Sequence, residues 1–170
     1  MRFVVTGEWS RNALLRLIVA LFLGYMVLFL VSSALFYFMK MDLTPDSVVR
    51  YYLGEPDVEF GQPPRPLASL VETSHMHLFA MGMLVMVLTH LLLFVPIRSG
   101  LKAPLVVLTF SSTLLHEAAG WLVRFVHPVF AWFKVGTFLL MELTLLGLVV
   151  LLGVYVVRPG RNAYKDTAET

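Results

Sequence analysis

The ionisable residues buried in apolar sequence are the part of this chain with chemistry to offer. His75, His77 and His90 fall on one apolar stretch, His116, Glu117 and His127 on or beside the next, and Glu142 on the last. An ionisable side chain inside a bilayer-crossing helix costs about 2.5–3.5 kcal/mol on the insertion scale, so each one points to a function. Haem b needs two imidazoles from facing helices at matching depth, one on each side of the iron. By depth the first-choice pair is His77 with His127, and His75 is the alternate. His77 and His116 are offset by about 10 Å at 1.5 Å per residue. His90 belongs to a second layer nearer the opposite surface. Arg124 and Lys134 stand at the boundary, as partners for propionates or as plain interfacial anchors.

The same residues admit metal and proton chemistry. His75-Met76-His77 lies at the same end as Met39-Lys40-Met41, and Met81, Met83 and Met86 follow down the second stretch. Imidazole and thioether are ligands that Cu(I) accepts. Residues two apart on a helix point about 160° away from each other, so His75 and His77 share a metal only where the helix starts after them. His116, Glu117 and Glu142 form a mid-membrane N/O set suited to iron, zinc or manganese, but the Glu-x-x-His pattern of carboxylate-bridged bundles is missing. The candidate metal ligands are therefore His75, His77 and His116. Glu117 and Glu142 also suit a proton path, or hydrogen bonds to a quinone carbonyl. The plainer alternative makes each intramembrane histidine a tie between helices and each methionine core filling. The Ser74-His75 neighbours have no third group to complete a nucleophilic triad, and P-loop, GxSxG, HExxH and GxGxxG motifs are absent from the sequence.

These residues are carried by a chain built for lipid. Of 170 residues 58% are apolar and only 14% charged, with a mean hydropathy of +0.80. A soluble domain has about 45–50% and about 25%. With no cysteine, disulfides, thiolate zinc sites and iron–sulfur clusters are excluded; a net charge of +2 gives no footprint for nucleic acid. Four stretches approach the roughly 20 residues a spanning helix needs: about 17–39, 72–95, 104–126 and 130–157. The expectation is one all-α integral membrane domain over 1–170, a four-transmembrane-helix bundle. The first stretch is too long for a signal-peptide core and serves as packing, through Gly24 and Ser32-Ser33.

Counting cations orients the bundle. With both termini inside, that side holds Arg2, Arg11, Arg16, Arg98, Lys102, Arg158, Arg161 and Lys165, against Lys40, Arg50, Arg65, Arg124 and Lys134 outside. The bias favours N-in and C-in, with Trp121 and Trp132 as outer-interface anchors. The outer loop, about 40–66, contains a short surface helix opened by Thr44-Pro45-Asp46 and closed by Leu53-Gly54, with Val48, Val49, Tyr52 and Leu53 on its apolar face. A Pro63-Pro64-Arg65-Pro66 strap follows. Asp42, Asp46, Glu55, Asp57, Glu59 and Glu72 make this region acidic, either simply solvated or ready for a basic partner.

The run Glu72-Thr73-Ser74-His75-Met76-His77-Leu78-Phe79, then His90, Trp121-Leu122-Val123-Arg124 and Pro128, resembles small uncharacterised four-span bacterial inner-membrane proteins. The resemblance covers the outer loop through the fourth span and implies topology and location without a mechanism. A looser similarity, in architecture and histidine placement, is to b-type membrane cytochromes. Their two-haem members carry two histidines on one helix at close to the 13-residue interval of His77 and His90. Here that interval leaves the pair some 140° apart, out of registration. The expected function is a membrane electron-transfer subunit that binds haem b and exchanges electrons with quinone or a periplasmic cytochrome. The alternatives are an intramembrane copper or other metal site, and a cofactor-free scaffold or proton-path subunit of a larger complex.

Overall fold

A computed structural model describes residues 12–56 and 58–157. The chain-end cations Arg2, Arg11, Arg158, Arg161 and Lys165, and the loop acid Asp57, lie outside the described residues. Among the described residues five helices follow in order: α1 Ala13–Lys40, α2 Pro45–Leu53, α3 Leu67–Leu92, α4 Ser99–Phe125 and α5 Phe130–Val157. No strand occurs among the described residues. α1, α3, α4 and α5 are each long and apolar enough to cross a membrane, and large side chains such as Leu28, Phe79, Val107 and Leu143 stay exposed on them, as lipid-facing surface requires.

The boundaries of two spans differ from expectation, and the difference matters for the site. α3 starts at Leu67, directly after the proline strap, rather than at Glu72, because Leu67-Ala68-Ser69-Leu70-Val71 contains nothing that stops a helix. α4 starts at Ser99 and carries Pro104 inside it. A proline that close to the N-terminus forfeits only one intrahelical hydrogen bond. The middle of α3 therefore moves about four residues towards the α2 end, roughly 6 Å, and the residues of interest on α4 move the same way.

α5 organises the bundle. Ala131, Val135, Phe138, Glu142, Leu145, Val149, Leu152 and Val156 repeat with alternating steps of four and three, the seam of a supercoiled helix, and all but Glu142 are buried apolar residues. α5 packs along α4 on one side and α1 on the other; α3 rests mainly on α4. Tyr37 of α1 stacks flat on Phe138 of α5, ring centroids 3.7 Å apart, and secures the α1–α5 joint. α1 and α3 have no extended packing with each other. That leaves an open seam on one flank of the bundle.

α2 lies across the end of the bundle, against α4 and α5. It begins with Pro45 at its first position, and Ser47 Oγ ties the entry by bonding the Thr44 and Asp42 carbonyls and accepting from the Asp42 N–H. Gly54 ends it at φ 74°, where a side chain would also run into the Gln62 carbonyl. Val48 and Tyr52 point into the bundle and are fully buried, so this is a seated cap more than a helix floating on a membrane surface. Burial pushes the Tyr52 phenol up from its usual range, with the Arg65 guanidinium acting the other way, so the hydroxyl stays protonated through neutral pH.

Arg65 fastens that cap. Its Nε donates to Ser69 Oγ at 3.2 Å and a terminal nitrogen donates to Thr73 Oγ1 at 2.7 Å, both on α3, while its guanidinium lies 5.0 Å from the Tyr51 ring centre. Its own carbonyl accepts from Arg124 Nε at 3.0 Å. Arg65→Ala removes the stack and both side-chain bonds, a loss of about 2 kcal/mol. Limited proteolysis should show faster cleavage between residues 54 and 66 with the spans intact. Arg65→Lys should not restore resistance, because an ammonium lacks the planar fork that bonds and stacks at once.

Candidate functional site

The polar residues of α3 and α4 meet beneath α2. On α3, Ser74 and His77 are three residues apart and share a face; on α4, Glu117, Gly120 and Trp121 do the same. The Glu117 carboxyl is the hub. One oxygen accepts a short hydrogen bond from Ser74 Oγ, and the other lies 3.2 Å from His77 Nδ1. Ser74 Oγ in turn accepts from Trp121 Nε1 at 2.8 Å. Donation thus runs one way, from Trp121 to Ser74 to Glu117, and Glu117 also takes the proton-bearing Nδ1 of His77. That tautomer leaves His77 Nε2 as an acceptor.

Lys134 of α5 approaches the same place from the other side. Its side chain is buried, with 4% exposure, and Nζ donates to the His116 carbonyl at 2.8 Å and lies 3.2 Å from His116 Nε2. It makes no ion pair among the described residues. His116 Nδ1 is buried without a hydrogen-bond partner.

His77, His116, Glu117, Trp121 and Lys134 line a cavity of about 510 Å³ roofed by α2, with Tyr52, Arg65, Lys40 and Tyr37 nearer the end of the bundle. A second lobe of about 270 Å³ continues towards the middle of the membrane between Phe29, Met81, Phe110 and Met141. Phe29, Ser33, His77, His116 and Glu117 line both lobes and form the junction. Because α1 and α3 have no extended packing with each other, the junction opens sideways past His77, whose side chain is 52% exposed. A donor (Lys134 Nζ), an acceptor (His77 Nε2) and aromatic walls thus face a space that lipid-soluble molecules can reach.

The structure brings together His77, His116, Glu117 and Lys134, and leaves the other candidates elsewhere. The 10 Å offset between His77 and His116 disappears: both line one junction, since α3 and α4 begin earlier than their spans were drawn. Lys134 is an interior donor and not a boundary cation. Arg124 stays near the boundary, bonded to the Arg65 carbonyl and lying over Phe125. His75 is exposed on α3 outside the cavity, and His90 lies near the opposite end of α3 with its ring edge on Phe94. His127 is exposed in the α4–α5 turn, where its Nδ1 accepts from the Val129 N–H. Glu142 sits at the middle of α5, facing α1.

Of the imidazoles, His77 is held through Nδ1 by Glu117, His116 Nε2 faces Lys134 Nζ, and His127 is not part of the lining. Among the described residues no group of three His, Asp or Glu side chains is placed to hold a metal ion. The arrangement is one of hydrogen-bond donors and acceptors.

Ser74, Trp121, Ser33 and Tyr52 were missed as site residues. The spacing held the signal for the first two: Ser74 with His77, and Glu117 with Trp121, are helical neighbours on polar faces of otherwise apolar spans. Trp121 points into the bundle, while Trp132 is exposed and suits an interfacial anchor. α1 supplies a wall of the cavity, since Ser32, Ser33 and Lys40 line it, while a Cβ on Gly24 would meet nothing within 4 Å.

Fold and site together define a multi-pass helical membrane protein with a polar cavity open to its flank. The chain belongs to the family described as a transmembrane helical domain, whose family model matches residues 42–163. The match takes in α2 to α5 and begins after α1. No curated protein and no solved structure matches the chain.

Proposed function

We propose that the chain is a quinone-binding subunit of a bacterial inner-membrane electron-transfer assembly. The observation that carries this reading is the His77–Glu117 pair standing at a sideways opening between two unpacked spans. A quinone partitions into the bilayer, enters without crossing water and offers two oxygens. Lys134 Nζ suits a ring carbonyl, and His77 Nε2 suits the hydroxyl of the reduced form; Trp121 and Tyr52 supply flat apolar walls. Reduction of a quinone to the quinol takes two electrons and two protons. The electrons belong to a redox partner; of the two protons, one is exchanged at His77 and the other at Lys134 Nζ, which faces the second oxygen. The Lys and Arg bias supports a reading with the α2 end on the outer, periplasmic side.

Trp121 makes the proposal testable, because a quinone in the cavity quenches its fluorescence. Protein in nanodiscs titrated with decylubiquinone should show a saturable quench that Trp121→Phe removes. Lys134→Met should weaken it about tenfold, the loss of one hydrogen bond to a buried carbonyl. A quench that rises linearly and identically in all three proteins would end this reading. A Soret band with one iron per chain in the same preparation would replace it with the haem one.

A further inference from the structure

We infer that Glu142 is the inner end of a proton path that runs from the His77–Glu117 pair through Ser33 into the seam between α1 and α5. The inference stands apart from what fills the cavity. Glu142 occupies one of eight positions of the α5 packing seam, and the other seven are buried apolar residues. It lies at the middle of the span, where the bilayer offers no water. One of its carboxyl oxygens is buried without a partner, so the group has an unused acceptor site where it stands. The Ser33 hydroxyl of α1 stands beside it.

Ser33 connects this carboxyl to the rest. It lines both lobes of the cavity, in company with His77 and Glu117. A hydroxyl donates and accepts at once, so it passes a proton on by turning, without carrying charge itself. Three helices thus contribute one proton-handling group each at the junction, Ser33 from α1, His77 from α3 and Glu117 from α4, and Glu142 of α5 stands behind Ser33. The path conveys a proton between the cavity and mid-membrane; no bond other than O–H and N–H forms or breaks. A carboxyl that served only to tie α5 to α1 would need Ser33 but would have no dependence on His77.

Infrared spectroscopy separates the two roles without any added ligand. In nanodiscs, the carbonyl band lost in Glu142→Gln identifies the protonated Glu142 carboxyl, and its shift on transfer to D2O measures how quickly a proton reaches it. The shift should be fast in the native protein and slowed by on the order of tenfold or more in both Ser33→Ala and His77→Phe. Should Glu142→Gln fail to fold, Glu142→Asp makes the assignment by displacing the band. Absence of any band that responds to position 142 overturns the inference. So does exchange at the native rate in the His77→Phe protein, which would leave Glu142 as a tie between helices.

Discussion

Glu117→Gln should reverse the cavity's preference between the two forms of a quinone. In the native arrangement Ser74 donates to one Glu117 oxygen and His77 Nδ1–H to the other, so His77 Nε2 is an acceptor and favours a hydroxyl donor, the quinol. Trp121 already donates to Ser74, which fixes the direction of the chain. A glutamine must then keep its carbonyl oxygen towards Ser74 and turn its amide N–H towards His77. Nδ1 becomes the acceptor, the ring proton moves to Nε2, and the cavity now offers two donors to a ring with two carbonyls. One hydrogen bond gained and one lost, at about 1 kcal/mol each, shift affinity about fivefold in each direction. Decylubiquinone should therefore bind tighter and decylubiquinol weaker. Histidine nitrogen NMR reads the tautomer directly, and an unchanged His77 signal in the variant would refute the account whatever the binding does.

Gly120→Ala should unseat the cap. A methyl group on Gly120 would stand 2.6 Å from Tyr52 Oη and 3.0 Å from the ring carbon bearing it. Tyr52 has little room to give, being 4% exposed, edge-on to Tyr51 and covered by Arg65. Overpacking of this kind costs about 1–3 kcal/mol, and the upper part of that range fits a site with a rigid ring on one side and helix backbone on the other. Melting of the detergent-solubilised protein should fall accordingly, with α2 becoming accessible to protease first. Tyr52→Phe in the same chain removes the nearest atom and should recover part of the loss. A double variant no more stable than Gly120→Ala alone would mean that the clash lies elsewhere.

The four spans and the cap could be read from the chain because each rests on a local rule. Apolar length sets the spans, and Thr44-Pro45 with Gly54 brackets α2 to the residue. Depth could not be read in the same way. Starting α3 at Glu72 instead of Leu67 displaced His77 by several ångströms, enough to separate it from Glu117, with which it forms the centre of the site. A helix start uncertain by one turn shifts every side chain by about 5 Å, and hydrogen bonds tolerate a few tenths. Lys134 was misplaced for a related reason. Four residues into a helix suggests a boundary, yet α2 lies over that end and the face of α5 that carries Ala131 and Lys134 is buried. Ser74 and Trp121 were legible as neighbours on polar faces once both faces are considered together.

The order of the helices along the chain gives α1 a long wait during synthesis. Its principal neighbour is α5, the last span to leave the ribosome, and it has no extended packing with α3, the next span made. At about 5–20 residues per second, the chain between Lys40 and Phe130 takes on the order of 5–20 seconds to emerge. Through that interval α1 must persist in lipid unaided. It is equipped to do so: its most apolar window is the most hydrophobic of the four spans, while α3 and α4, which carry the polar groups, have the least apolar ones. Those two emerge consecutively, joined by a short turn that Lys102 Nζ closes on the Leu93 carbonyl at 2.6 Å, so each new polar face finds its complement at once. The arrival of α5 then gathers the waiting α1 and the paired α3–α4 into one bundle, and the opening on its flank is the place where the earliest and the middle of the nascent chain were never required to meet.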